Sequence, residues 1–179
     1  MHTNHARYTV TAIVIHWVVA LLLLGVIALA YLSEVFPEES AQFALTMNLH
    51  KSIGVAILGL SLLRLLWRLF NKPPALPMKT PAWQKLSATV VMTTLYALTI
   101  LTPILGWAMS SADGHTTSFF GLFNLPNLIG LNENLAETLE EGHELFANLI
   151  IGLAGLHVLA ALKHHFIDKD DVLSQMRLK

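Results

Sequence analysis

The chain contains no cysteine, which excludes disulfides, zinc–thiolate sites and iron–sulfur clusters. Charge is scarce as well: 13% of the 179 residues are Asp, Glu, Lys or Arg, against roughly 25% in an ordinary soluble domain. The net charge is −1, so no overall basic character points to nucleic acid. No internal repeat or low-complexity tract divides the chain, and one domain over residues 1–179 is the economical expectation. What fills the space left by charge is apolar, 54% of all residues. The first apolar run, Thr11–Leu32, is too long for a signal-peptide core and no small-residue cleavage site follows it, so it is expected to be a retained membrane helix.

Four segments are long and apolar enough to span a bilayer: about 11–32, 49–69, 86–109 and 143–164. Pro103 is expected to bend the third, with Thr99 or Thr102 satisfying the carbonyl it frees. The joins between the spans differ in charge. Ser33–Asn48 and Ser110–Gly142 hold acids and no Lys or Arg, whereas the proline-rich Phe70–Lys85 join is basic. Ten of the eleven Lys and Arg fall at one set of span ends, Lys51 being the exception, and nine of the twelve acids gather at the other. By the positive-inside rule both termini and the proline-rich loop lie in the cytoplasm. The fold class is therefore an all-α membrane protein, a four-transmembrane-helix bundle with both termini cytoplasmic, in contact with membrane lipid.

Histidines are placed where such a chain can least tolerate idle polarity. His143 and His157 are fourteen residues apart in one apolar stretch. At about 100° per residue they return to within roughly 40° of each other, on one face and roughly 21 Å apart along the axis. The alternating direction of the spans then sorts depths. His16 and His157 share the inner level, and His50 and His143 share the outer one. An imidazole alone in a membrane helix reads equally well as an interhelical hydrogen bond. Four in two depth-matched pairs point instead to two metal centres, each axially held by imidazoles from two helices, as a bis-histidine haem requires. A divalent-cation site would need carboxylates at both levels, and Glu144 supplies only one. Gly54, Gly152 and Gly155 offer small side chains against which a planar group or another helix could lie. Arg64 is fourteen residues after His50, at the inner level, where a guanidinium could bind a propionate. Arg68, one turn on, reads as an interface residue. Lys51 could pair with an outer propionate, steer an anion or bridge to a loop glutamate. His164 and His165 suit the C-terminus of the fourth helix and could exchange protons with a quinone. His115, His2 and His5 read as solvated.

The sequence resembles the bacterial cytochrome b561 family of four-helix dihaem membrane cytochromes along nearly its whole length. The likeness lies in IHW around His16, LHKSIG around His50, RLLWR after it, the proline-rich loop, SSADG, FGLFNLP and the closing LKHHFIDKDDVL. It implies His16, His50, His143 and His157 as the iron ligands of two b haems in the bacterial inner membrane. It also implies a quinone, ubiquinone in one member type, near the closing His164–His165 pair. The activity implied is membrane oxidoreduction, between a quinone pool and a periplasmic electron donor or acceptor. One member type oxidises superoxide and reduces ubiquinone. The acidic Ser110–Gly142 join departs from what an anionic substrate favours and leaves Lys51 as the local cation. A membrane-anchor or electron-relay subunit of a larger respiratory complex is the alternative expectation.

Overall fold

A computed structural model describes residues 7–75 and 80–178. His2, His5, Lys79 and Lys179 lie outside the described residues. The chain forms α1 (Val10–Ser33), α2 (Ala41–Phe70), α3 (Ala82–Ala112), a short hairpin of β1 (Ser118–Phe119) and β2 (Phe123–Asn124), and α4 (Glu133–Lys163). A π-helical turn (His164–Asp168) and a 3-10 turn (Ser174–Met176) follow. All four long helices have the length and hydropathy to cross a membrane.

The first three spans expected from hydropathy lie inside these helices and the fourth runs one residue past α4 into the π-helical turn, but two helices begin well before their spans. α2 starts at Ala41, where Ser40 Oγ accepts from the Phe43 amide (3.1 Å), and α4 starts at Glu133, where Asn132 Oδ1 accepts from the Leu135 amide (3.1 Å). Those first turns are polar, so an apolar window misses them, whereas the cap residues set the true start. At 1.5 Å per residue, helices of 30 and 31 residues exceed a hydrocarbon core of about 30 Å and must project beyond it. Pro103 sits within α3 without breaking it. Thr99 Oγ donates to Tyr96 O (3.1 Å) rather than to the carbonyl that Pro103 frees, and the Thr102 hydroxyl has no partner.

α1 packs on α2, α2 on α3 and α3 on α4. α4 makes no comparable backbone contact with α1 or α2. Little of α4 is buried against the rest of the protein, only Ala136 and Ile150, as expected where lipid or a bound group covers an apolar face. Polar ties fix the ends. At the basic end Trp67 Nε1 donates to Thr9 Oγ (2.8 Å), and Trp17 Nε1 donates to Met176 O (2.9 Å), which folds the C-terminal segment beneath α1. At the acidic end the Asn132 amide donates to Ala112 O (2.8 Å), the Leu128 amide to Ser111 Oγ (3.2 Å), and Trp107 Nε1 to Pro126 O (3.1 Å).

One buried hydroxyl fastens the hairpin to the bundle. Ser52 of α2 is 2% exposed. Its Oγ accepts from the Phe120 amide (3.0 Å), and its single proton lies between the carbonyls of Asn48 (2.8 Å) and Ser118 (3.0 Å). Phe120 has a left-handed backbone (φ 50°), a conformation that needs such support in a bulky residue. Ser52→Ala strands the Phe120 amide and is expected to cost about 1–3 kcal/mol of local stability. Amide hydrogen exchange should accelerate at Phe120 and its neighbours while the helix cores keep their protection. Unchanged exchange at the hairpin would show that Ser52 does not hold it.

Candidate functional site

The four helices bring the sequence-selected histidines together in the two expected pairs. His16 of α1 and His157 of α4 have ring centroids 6.3 Å apart with planes at 72°. His50 of α2 and His143 of α4 have centroids 6.2 Å apart with planes at 63°. Each pair crosses the side of the bundle where α4 stands off from α1 and α2.

The separation has a chemical meaning. A metal held in line by two imidazoles needs two bonds of about 2.0–2.1 Å, and each nitrogen stands roughly 1.1 Å from its ring centre, so the centroids lie about 6.3 Å apart. Edge-to-face ring contacts also occur at about 4.5–7 Å, so the distance alone does not decide. The tautomers do, for one pair. His50 Nδ1 lies 3.0 Å from Val26 O and His143 Nδ1 lies 2.9 Å from Thr102 O. A carbonyl only accepts, so each Nδ1 carries the proton and donates it. Each neutral ring is left with a lone pair on Nε2. Two Nε2 lone pairs cannot hydrogen-bond to each other; they can share an electrophile such as a metal ion. Donation of the second ring proton to a backbone carbonyl is the usual way a metal-bound imidazole is oriented.

The His50–His143 pair lines a cleft of about 460 Å³ bordered by all four helices. Gly54 lines it opposite Pro103, where a Cβ would stand 4.0 Å from the proline Cβ. Gly106 is the closer fit. A Cβ there would stand 2.9 Å from Cε1 and 3.0 Å from Nδ1 of His143, so the ring lies directly on the α3 backbone. A cleft of this size, apolar in most of its lining and fitted with two convergent ring nitrogens, suits a flat metal macrocycle. Gly152 and Gly155, by contrast, meet nothing within 4 Å. They are nine and twelve residues on from His143, about 180° and 120° around the helix, and so face away from it.

Lys51 Nζ donates to Ser110 Oγ (2.9 Å), and among the described residues it bridges to no loop glutamate. It lines the same cleft as His50. Arg64 lies at the level of His16 and His157, and its charge reaches both. Its guanidinium carbon is 4.8 Å from the Tyr96 ring centre, and that of Arg68 is 5.4 Å from it. The two arginines share a small pocket with Tyr8. Burial pushes the Tyr8 phenol up from its ordinary range although both guanidiniums pull it down, so it remains a neutral hydroxyl at neutral pH.

At the basic end, His164 Nδ1 is 2.7 Å from Asp170 Oδ2 and 3.4 Å from Asp168 Oδ2. These three side chains converge closely enough to hold a cation, but Lys163 Nζ already engages both Asp168 oxygens (2.8 and 2.6 Å). His165 is exposed, its ring 4.7 Å from that of Phe166. His115 is exposed and paired with Asp113 (2.7 Å). As site groups, Val26, the Thr102 carbonyl and Gly106 escape sequence reasoning, because a backbone atom or a missing side chain leaves no local signature. Asp170, six residues after His164, lies in the same closing run and is missed all the same.

A sequence model of the family described as prokaryotic cytochrome b561 matches residues 7–178. Cytochrome b561 homolog 2 of Escherichia coli (strain K12) is 34% identical over 171 residues, covering 95% of this chain and 90% of that protein. Cytochrome b561 homolog 1 of the same organism is 31% identical over 170 residues, covering 95% and 96%. A protein of Yersinia pestis named probable superoxide oxidase CybB is 38% identical over 177 residues, covering 98% of each chain.

Gly106→Ala must push the His143 ring off the α3 backbone and break its bond to Thr102 O. Protein from haem-replete cells is expected to lose a large part of its bound haem, read by the pyridine haemochrome assay. Gly152→Ala and Gly155→Ala, which meet no atom, are expected to retain it in full. Full retention in Gly106→Ala would remove the glycine from the site.

Proposed function

Because the chain belongs to the prokaryotic cytochrome b561 family, whose members are transmembrane electron-transfer cytochromes that bind b-type haem, we propose that it carries electrons across the bacterial inner membrane through two b haems. Haem b supplies a one-electron iron couple when bound. His50 and His143 would hold one iron, and His16 and His157 the other. An iron held by two imidazoles would supply electron transfer rather than oxygen binding. The whole chain, residues 1–179, serves as one such domain.

Charged groups complete each level. Arg64, beside the Tyr8 and Tyr96 hydroxyls, takes a propionate at the level of His16 and His157; Lys51 does so at the level of His50 and His143. The distribution of Lys and Arg puts the basic end and both termini in the cytoplasm and the acidic end in the periplasm. A quinone, ubiquinone by family likeness, is reduced or oxidised at the basic end beside His164 and His165. Asp170 accepts from His164 Nδ1, leaving Nε2 to exchange a proton with that quinone. The partner at the acidic end is a periplasmic electron donor or acceptor. Similarity to a protein named probable superoxide oxidase supports superoxide in that role. Two superoxide ions would each lose one electron to become dioxygen, and one quinone would gain two electrons and two protons. The acids of the cleft rim, Glu34, Glu140 and Glu144, oppose the approach of such an anion, with Lys51 the cation of the cleft behind them.

The observation that supports this most is the equal width of the two imidazole pairs, stacked along one face of α4. Purified protein is expected to hold two haems per chain. His16→Ala and His50→Ala should each remove one and leave the other spectrally intact. A single variant that keeps both haems would overturn the ligand assignment. Stopped-flow mixing of the oxidised protein with superoxide should bleach the ferric band in the isolated chain, with reoxidation by a ubiquinone analogue. A band inert to superoxide rejects that donor and favours an electron-relay subunit whose catalytic partner must be supplied.

A further inference from the structure

Thr117 is the one fully buried residue in the loop between α3 and α4, 3% exposed, and its hydroxyl has no hydrogen-bond partner. A buried hydroxyl left alone is costly, so native proteins rarely keep one without a group to receive it. Its position is not a loose accident of the loop. The Leu125 amide donates to Thr117 O (2.9 Å), and the next carbonyl, Ser118 O, accepts from Ser52 Oγ of α2 (3.0 Å). The hairpin is thus pinned to the turn of α2 that carries His50 and Lys51, and Thr117 lines the same cleft as both.

Lys51 presents the complementary group. It is half-buried, its ammonium donates only to the neutral Ser110 hydroxyl, and among the described residues it makes no ion pair. Asp113, whose charge reaches it, is engaged by His115 at 2.7 Å. Lys51, a cation with spare protons, and Thr117, whose buried hydroxyl has no acceptor, therefore line one cleft beside His50. The hydroxyl lacks any acceptor and the ammonium lacks an anionic one, and one anionic oxygen group satisfies both.

We propose that Thr117, with Lys51, forms a carboxylate-binding site at the acidic end of the cleft, and that its occupant is a propionate of the haem held by His50 and His143. The assignment of the occupant rests on the function proposed above. A tethered carboxylate is favoured over a free one on two grounds. A group already anchored by His50 and His143 reaches the site at high effective concentration. The exposed acids of the rim, Glu34, Glu140 and Glu144, repel a free anion that must cross them. The Thr117 hydroxyl is a positioning group: it would orient the propionate, and with it the group that carries it.

The test uses the full-length, haem-loaded protein and Thr117→Val, which removes the donor at nearly constant volume. The propionate-bending band in the resonance Raman spectrum should shift for this haem alone. Its midpoint potential should fall, because a propionate that has lost a donor leaves more negative charge near the iron and favours the ferric state. Thr117→Ser should restore both, and Lys51→Met should move both in the same direction as Thr117→Val. Measurement in the His16→Ala background isolates this haem; in the two-haem protein the bands are separated by potentiometric poise. An unchanged band and potential in both Thr117→Val and Lys51→Met, with haem retained, would overturn the site. A potential that responds to added acetate in the parent chain but not in Thr117→Val would overturn the propionate as occupant and give the site to a free carboxylate. Failure of the haem assignment shows elsewhere, as a His50→Ala protein that keeps both haems.

Discussion

Helix α4 stands away from α1 and α2, and the site depends on the width of that gap. α1 and α2 pack as one pair, α3 and α4 as another, and α2 joins α3 between them. The fourth side of the bundle is left open. In water such an opening would close to bury apolar surface, but in lipid no hydrophobic drive brings helices together; association rests on packing and polar contacts. Here the polar groups that face across the gap are imidazoles. His50 and His143 each keep an acceptor nitrogen once Nδ1 donates to a carbonyl, and acceptors do not bind acceptors. The same spacing recurs at both levels, 6.2 and 6.3 Å between ring centres, a width that a metal held between the two rings would also require.

The cleft is shaped as much by backbone as by side chains. Val26 and Thr102 contribute carbonyls, Gly106 contributes the lack of a side chain, and together they fix the tautomer and seat of two rings. The acidic-end loop adds a cover. Ser52 ties the hairpin to α2, and Ser111 and Asn132 tie the rest of the loop to the α3–α4 pair. A loop of 20 residues that carried no such ties would be free to leave the cleft open to water. Its acidic rim and its buried Thr117 belong to one construction, with charge at the mouth and donors within.

Much of this was legible in the sequence because a membrane narrows the choices. Hydropathy located the four spans, and helical periodicity with alternating direction selected the same two histidine pairs whose rings the fold brings close. The helix starts were not legible from hydropathy, since the first turns of α2 and α4 are polar and only Ser40 and Asn132 mark them. Gly152 and Gly155 lie between the two histidines of α4 in sequence yet point elsewhere; the angle around the helix, not the interval, decides which face a residue shares. Thr117 offered no signal at all. A threonine in a polar loop reads as solvated until the fold buries it, and the partners that make it informative come from a helix more than sixty residues earlier.

The two imidazole pairs are alike in width and unlike in surroundings, and the difference bears on electron flow. His50 and His143 each donate a proton to a carbonyl, which raises the basicity of the ring and favours the ferric state of iron bound to it. Among the described residues, neither His16 nor His157 has such a bond; Trp17 lies edge-on to His16 at 5.3 Å, and Arg64 brings a half-buried positive charge to that level. A nearby cation favours the ferrous state, whose net charge is lower. On the proposed ligand assignment the levels are therefore biased in opposite senses, with the lower potential at the acidic end. Lys51 opposes that bias from the cleft beside His50, and a propionate held there would neutralise it. With that opposition removed, the surroundings of the two pairs would favour movement of an electron from the acidic end toward the basic end, where His164 pairs with Asp170.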